Sequence, residues 1–280
     1  MKIGTFADWF GVGLTEGIKK SAECGADGVQ IYAWKSFNPV NLDRALADEV
    51  RVTAEAYRQE ITALCGELGG HGFENADEQA DKMKYMKAVI DLGDSLDCHI
   101  ITTHIGVIPS DTESRRYVTM RDACREAGEY AVRRGSKLAV ETGPEPMERL
   151  RRFVDDCATP GVGINYDPAN LVMVTNVDEI EGVRIAGDAI VHTHAKDGVM
   201  HKFFGVEEAY AIFADGGIEE LRKLSDYFEE RPLGQGSVRW KEYIAALRGV
   251  GYDGYLTIER EVKDKADEIA EAVNFLRSML

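Results

Sequence analysis

IVHTHAKD, residues 190–197, begins as a buried strand does, in β-branched residues, and then places His192 and His194 two apart before a lysine and an aspartate. Residues two apart on a strand face the same side, so both imidazoles share one face. The chain has six histidines, and two of them stand here. Seven further runs of the same kind surround this one: KIGTF (2–6), GVQIYA (28–33), ITALCGEL (61–68), HIITTH (99–104), KLAVET (137–142), VGINYD (162–167) and YLTIER (255–260). Short β-branched runs bounded by Gly, Pro, Asp or Asn are strand signals. The stretches between them carry helical periodicity. In EQADKMKYMKAVIDLGDSLD (78–97), Met83, Met86, Ile90 and Leu96 fall near one face and charges occupy the other.

Strand and helix alternating eight times, with no linker or low-complexity stretch, predict an α/β fold of the (β/α)8 barrel type. One domain over residues 1–280 is expected. The rival is a doubly wound open sheet, but the segment after the first strand, ADWFGVGLTEG (7–17), spaces its glycines wrongly for a dinucleotide turn. Residues 198–238, between the seventh strand and a helix starting near Arg239, exceed an ordinary loop in length. In a barrel this insertion is expected to cover the C-terminal mouth. Its Phe203, Phe204, Tyr210, Phe213, Tyr227 and Phe228 suit it to cover a ligand or bury a partner surface.

Composition narrows the partners. Forty-nine acidic against thirty-three basic residues give a net charge of −16, which repels polyanions and argues against nucleic acid. No apolar run approaches the roughly 20 residues a membrane span needs, and MKIGTFADWF lacks the apolar core of a leader, so a cytoplasmic location is expected. Cys24, Cys65, Cys98, Cys124 and Cys157 are odd in number and lack a C-x-x-C pair, which predicts reduced thiols.

Four consecutive strands end in groups that ligate hard or borderline cations: Glu141 in AVETGP, Asp167 in NYDPAN, His194 in HTHAKD and Glu259 in TIERE. In a parallel barrel all such ends meet at one mouth, so distance along the chain is no obstacle to convergence. Three carboxylates and one imidazole suit one divalent ion, Mn²⁺ before Mg²⁺ or Co²⁺, with Zn²⁺ also compatible. Any one of these residues alone reads equally well as a satisfied polar group at the rim. All four together do not.

With these motifs in view, VETGPE, NYDPANL, HTHAKD, PLGQGSVRW and GYDGYLTIERE, the sequence resembles the xylose isomerase-like TIM barrels over nearly its whole length. Within them it is similar to the sugar phosphate isomerase/epimerase group, which includes ketose 3-epimerases and inositol-catabolism enzymes. The resemblance places metal ligands on the same Glu141, Asp167, His194 and Glu259. It implies that Glu141 and Glu259 also act as an acid/base pair on opposite faces of a keto sugar, sugar phosphate or cyclitol ketone, through a metal-stabilised enediolate. His192, one layer deeper than His194, is expected to support the ligands from behind or pack in the core.

His104, Glu67, Lys196, Trp9 and Trp34 are candidates for binding substrate, although tryptophans at such positions are often core. Glu145 is either a hydroxyl partner or an acidic first-turn residue of the fifth helix. Arg260 reads as a salt bridge at least as well as a substrate contact. The match has departures. Ketose 3-epimerases carry D-x-x-H at the sixth strand where this chain has Asp167 and Asn170, an amide that can bind a hydroxyl but cannot become a cation. Relatives commonly carry an acidic residue where Gln235 stands. Abasic-site endonucleases share the barrel and bind three zinc ions, and the histidines they need are missing here, so one metal is expected. Two alternatives stand beside the isomerase. One is a dehydratase of the inosose or dehydroshikimate type, and the other is a non-catalytic, accessory sugar-binding subunit. Family habit implies a homo-oligomer.

Overall fold

Eight parallel strands form a closed ring in the computed structural model, which describes residues 1–260 and 266–280. They are β1 (Lys2–Phe6), β2 (Gly28–Tyr32), β3 (Glu60–Cys65), β4 (Ile100–Thr103), β5 (Lys137–Glu141), β6 (Val162–Tyr166), β7 (Ile190–Ala195) and β10 (Tyr255–Ile258). Neighbours pair in chain order, and β10 closes the ring against β1 from Lys2↔Tyr255 to Thr5↔Ile258. This is the (β/α)8 barrel expected, with each run in its place and its ends shifted by a few residues at most.

Strand alternation sorts the side chains. One face of each strand, with Ile3, Val29, Leu64, Ile101, Leu138 and Ile164, packs under the surrounding helices in one hydrophobic core. Those helices are α1 (Leu14–Glu23), α2 (Arg44–Ala56), α3 (Gln79–Ser95), α4 (Arg115–Val132), α5 (Met147–Asp156), α6 (Glu179–Ala186), α8 (Trp240–Gly249) and α9 (Ala266–Arg277). Side chains cap several of them. Asp43 accepts from Ala45 N–H, Ser114 from Tyr117 N–H, and Asp178 from the N–H groups of Ile180 and Glu181, each cap contributing about 1 kcal/mol. As the periodicity predicts, α3 turns Met83, Met86 and Ile90 inward.

The other face points into the barrel and is unusually polar. Barrel interiors are normally filled by branched aliphatic residues. Here Gln30 Nε2 donates to Thr102 Oγ1 at 2.9 Å, and His192 sits between Asn165 and Thr257. Buried polar groups are tolerated when hydrogen-bonded, and these are, apart from Gln30 Oε1, which has no partner.

Residues 198–238 are a folded unit rather than a long loop. β8 (Asp197–Met200) pairs antiparallel with β9 (Phe228–Arg231), and between them lie α7 (Val206–Leu221), kinked at Gly217, and a short 3-10 turn (Arg222–Leu224). The unit has a small core of its own, in which Ala209 and Phe228 pack with Met173, and Phe204 and Tyr227 pack against them. Met173 belongs to a π-helical turn, Asn170–Thr175, that follows β6. Helix α8 begins at Trp240, one residue after the expected start.

Among the described residues no helix is long and apolar enough to cross a membrane. The five cysteines are unpaired; Cys24 is half-buried and the other four are buried.

Candidate metal centre

Glu141 ends β5, Asp167 directly follows β6, His194 is the penultimate residue of β7 and Glu259 directly follows β10. Parallel strands bring these ends to one mouth. One ligand atom from each residue lies within 4.8 Å of all the others, and all four residues are buried. His194 Nδ1 is 3.1 Å from Glu259 Oε2, 3.4 Å from Glu141 Oε1 and 3.9 Å from Asp167 Oδ2. Carboxylate oxygens flank His194 Nδ1 at these distances, yet neither it nor Asp167 Oδ2 has a partner aligned for a hydrogen bond. Buried polar atoms without partners are rare and costly. A divalent cation at the centre would satisfy both, so the donor set fits one metal.

The electrostatics follow from crowding three carboxylates into a dry space. Burial pushes the Asp167 carboxyl up to about 7 despite Lys196 nearby. Burial acts the same way on Glu259, but Lys196 and His194 outweigh it and hold Glu259 well below the usual range. Burial disfavours a charged His194, and the neighbouring Glu259 and Glu141 more than offset it, raising its basicity well above normal.

A supporting layer lies directly beneath. Asn165, two positions before Asp167 and so on the same face, donates through Nδ2 to Glu141 Oε2 at 3.1 Å and faces His194 Nε2 at 3.2 Å. Its Oδ1 accepts from His192 Nδ1 at 2.9 Å, and Thr257 Oγ1 lies 3.1 Å from His192 Nε2. Burial holds His192 well below its usual pKa, so it is neutral, as one donating and one accepting nitrogen require. His192 therefore touches the ligands only through Asn165, a residue that the sequence reading passed over. The signal was available: Asn165 stands to Asp167 as His192 stands to His194.

The remaining candidates lie around this centre. Lys196 Nζ donates to Glu259 Oε2 at 3.2 Å. His104 Nδ1 is 3.0 Å from Glu67 Oε1, and its Nε2 is 3.7 Å from Glu141 Oε2. Burial disfavours its charge, but Glu141 and Glu67 raise it to about 10. The ring of Phe213, from α7, lies 5.9 Å from that of His104, and Asp215 on the same helix reaches His71 at 3.2 Å. Asn170 spends its amide N–H groups on Glu141 Oε1 and the Thr142 carbonyl, so Glu141 rather than open space is its partner.

Glu145 lies before α5, outside its first turn, where the acidic residue is Glu148. It is 7% exposed, its Oε2 has no partner, and burial raises it to about 7. Trp9 packs edge-on to Phe6, and Phe6 lies 5.5 Å from the His194 ring. Tyr32 stacks on Phe6 at 5.0 Å, and its ring also lies 5.0 Å from that of the exposed Trp34. Arg260 points away from the centre, to Glu230 and Glu268.

Comparison with known proteins agrees with this architecture. A family model described as xylose isomerase-like TIM barrel matches residues 18–279. The chain belongs to that family. Among curated proteins, YfiH of Bacillus subtilis (strain 168), itself uncharacterized, is 29% identical over 153 residues, covering 52% of this chain and 44% of YfiH. The uncharacterized MJ1311 of Methanocaldococcus jannaschii is 24% identical over 192 residues, covering 62% of this chain and 56% of that protein. The chain thus spans about half the length of the curated relatives it matches.

Among solved structures, a xylose isomerase domain protein from Planctomyces limnophilus superposes with a TM-score of 0.80 at 25% identity, over 99% of this chain and 96% of that one. A D-psicose 3-epimerase solved in the presence of D-fructose gives 0.75 at 18% identity, over 100% and 99%. A probable 3-DHS dehydratase, AsbF of Bacillus anthracis, gives 0.76 at 16% identity, over 99% of each chain. At these last two identities the likeness is one of fold.

Proposed function

We propose that this chain is a divalent-metal-dependent isomerase or epimerase of a keto sugar, sugar phosphate or cyclitol ketone. One observation carries the reading: His194 Nδ1 and Asp167 Oδ2 are buried and unpartnered within a set of four convergent ligands. Glu141, Asp167, His194 and Glu259 would hold the cation, and oxygen-rich ligation with one imidazole suits Mn²⁺ best. When bound, the cation supplies Lewis acidity toward a carbonyl and its neighbouring hydroxyl, and stabilises enediolate charge.

The rest is the work of this chain. In the ring of strands Glu141 and Glu259 stand on the outer flanks, on β5 and β10, with His194 and Asp167 between them. A sugar seated over the centre is then reached from two sides, one carboxylate taking a proton from carbon and the other returning one. Lys196 keeps Glu259 ionised, as a base requires. His104, charged between Glu67 and Glu141, offers a proton to a substrate oxygen. Trp9 and Trp34 with Tyr32 and Phe6 supply a wall for the apolar face of a sugar. Glu145 and Glu67 offer acceptors for hydroxyls, Asn170 steadies Glu141 beside them, and His192 holds Asn165 in place from below. The 198–238 insertion closes the mouth through Phe213.

Metal analysis of the purified protein against His194→Ala, with Mn²⁺ back-titration, is the first test, and about one metal per chain, lost in the variant, is expected. Incubating the loaded protein with keto sugars and inososes in deuterated solvent should then exchange a C–H proton. New enone or aromatic absorbance without such exchange would assign the chain to the dehydratases instead. No metal in either protein, and none taken up on titration, would leave an accessory, sugar-binding barrel.

A further inference from the structure

We propose that Asp197 is a positioning residue that fastens the 198–238 insertion to the metal centre, making metal binding and seating of the insertion one coupled equilibrium; this rests on the metal reading above. Asp197 stands three residues past His194 and is 1% exposed. Its Oδ1 accepts from Gly198 N–H at 2.9 Å and Val238 N–H at 3.1 Å. Its Oδ2 accepts from Gly234 N–H at 2.9 Å, Gly236 N–H at 3.2 Å and Trp240 Nε1–H at 2.9 Å. Five N–H dipoles thus surround one carboxylate, an arrangement in which each bond is charge-assisted. They come from the first residue of the insertion, from its returning end and from the start of α8.

The sequence of that returning end is shaped for this contact. Gly234 has φ +80, a conformation that L side chains rarely adopt, and a Cβ on Gly236 would lie 2.0 Å from Asp197 Oδ1. The glycines of PLGQGSVRW therefore bring backbone donors onto Asp197.

Two further anchors of the insertion also start beside metal ligands. Arg260, next to Glu259, is paired with Glu230 on β9. Met173, on the π-helical turn that follows Asp167, packs so closely beneath Gly198 that a Cβ there would lie 2.5 Å from its Sδ. The same turn opens with Asn170, which donates to Glu141. Each ligand-bearing strand end is thus tied to the insertion directly or through one neighbour. Coupling of this kind is reciprocal: whatever factor the seated insertion contributes to metal affinity, bound metal returns to the seating of the insertion.

The test uses the full-length protein and two substitutions on opposite sides of one contact, Asp197→Asn and Gly236→Ala. The amide of Asp197→Asn turns N–H groups toward N–H donors, and the methyl of Gly236→Ala displaces the carboxylate. Mn²⁺ affinity is measured by titration calorimetry, and amide hydrogen exchange is followed across 198–240 with and without Mn²⁺. In the wild type Mn²⁺ should slow exchange in the insertion. Each variant should bind Mn²⁺ about 10-fold more weakly or worse and lose that protection, and the double variant should be no worse than the poorer single, as expected of two changes at one contact. Trp240→Phe removes a single donor and should give a smaller loss of the same kind, which keeps the test open where Asp197→Asn does not fold.

A clasp that serves stability alone would lower the melting temperature and leave Mn²⁺ affinity at the wild-type value, and that result overturns the coupling. So does wild-type insertion exchange that is indifferent to Mn²⁺. Failure of the wild type to bind Mn²⁺ at all would remove the metal reading and the coupling with it, whereas normal binding by every variant removes the coupling alone.

Discussion

Two sectors of the barrel rim are built from opposite chemistries on one backbone plan. Strands β5, β6, β7 and β10 end in Glu141, Asp167, His194 and Glu259, over a hydrogen-bonded layer of Asn165, His192 and Thr257. Strands β1 and β2 end in Phe6 and Tyr32, with Trp9 and Trp34 beyond them in a continuous run of rings. Parallel strands present every C-terminal end at one mouth, so nothing in the backbone separates the two sectors. Residue choice alone makes one a charged anchor and the other an apolar wall. A ligand with a polar chelating edge and an apolar face would fit between them, and the sugar proposed above has both.

The contrast can be broken most forcefully at its charged side. His194→Ala should fold and lose Mn²⁺ affinity by about 100-fold or more, because it removes a ligand outright. Retained affinity by calorimetry would mean that the carboxylates bind without the imidazole, and the division of labour drawn here would fail. One layer down, Asn165→Ala should weaken Mn²⁺ by about 10- to 100-fold, the usual cost of losing a group that orients ligands. An unchanged dissociation constant would reduce the polar layer to filling.

Glu145 sharpens the comparison by pH. Its carboxyl is raised to about 7 by burial, from a usual 4.5. Between those values the folded protein keeps a proton that the unfolded chain releases, so this group's contribution to stability falls as pH rises from 4.5 to 7 and is level above. Glu145→Gln should therefore match the wild type in urea melts at pH 4 and exceed it at pH 8 by about 1 to 3 kcal/mol. Equal midpoints at pH 8 would show the carboxylate to be well solvated.

The smallest effect belongs to the aromatic side. Trp9 Nε1 is buried without a partner, so Trp9→Phe removes an unsatisfied donor and should change stability by no more than about 1 kcal/mol. Its Mn²⁺ affinity should equal the wild type's, while binding of a substrate sugar weakens. A drop in metal affinity would show that the two sectors are not independent.

What could be read from the chain depended on periodicity. The convergence of Glu141, Asp167, His194 and Glu259 was legible because each stands at the end of a β-branched run, and parallel strands leave only one place for such ends to meet. Asn165 was legible in its placement, two before Asp167 on the inward face, but not in its role, which depends on its neighbour across the register. Asp197 was hidden differently: it closes a motif already explained by its histidines, and its five donors come mainly from a segment some forty positions later. The insertion read as loop because DGVM and FEER are four-residue strands, one rich in charge, whose pairing is visible only in three dimensions. Glu145 was placed ambiguously, because Pro146 fits the entrance of a helix from either side, and the structure starts α5 one residue after it.

The pairing of β1 with β10 also sets an order of events. Residues 2–5 wait for residues 255–258 before the ring is sealed, and a contact so distant along the chain is among the slowest kinds to form. Glu259 adjoins that final strand. A chain emerging from the ribosome can present three of the four candidate ligands, but Glu259 arrives only with the last strand, at the moment the barrel is able to close. Full chelation would thus report that folding is complete, and would do so in the region where the ring was last open.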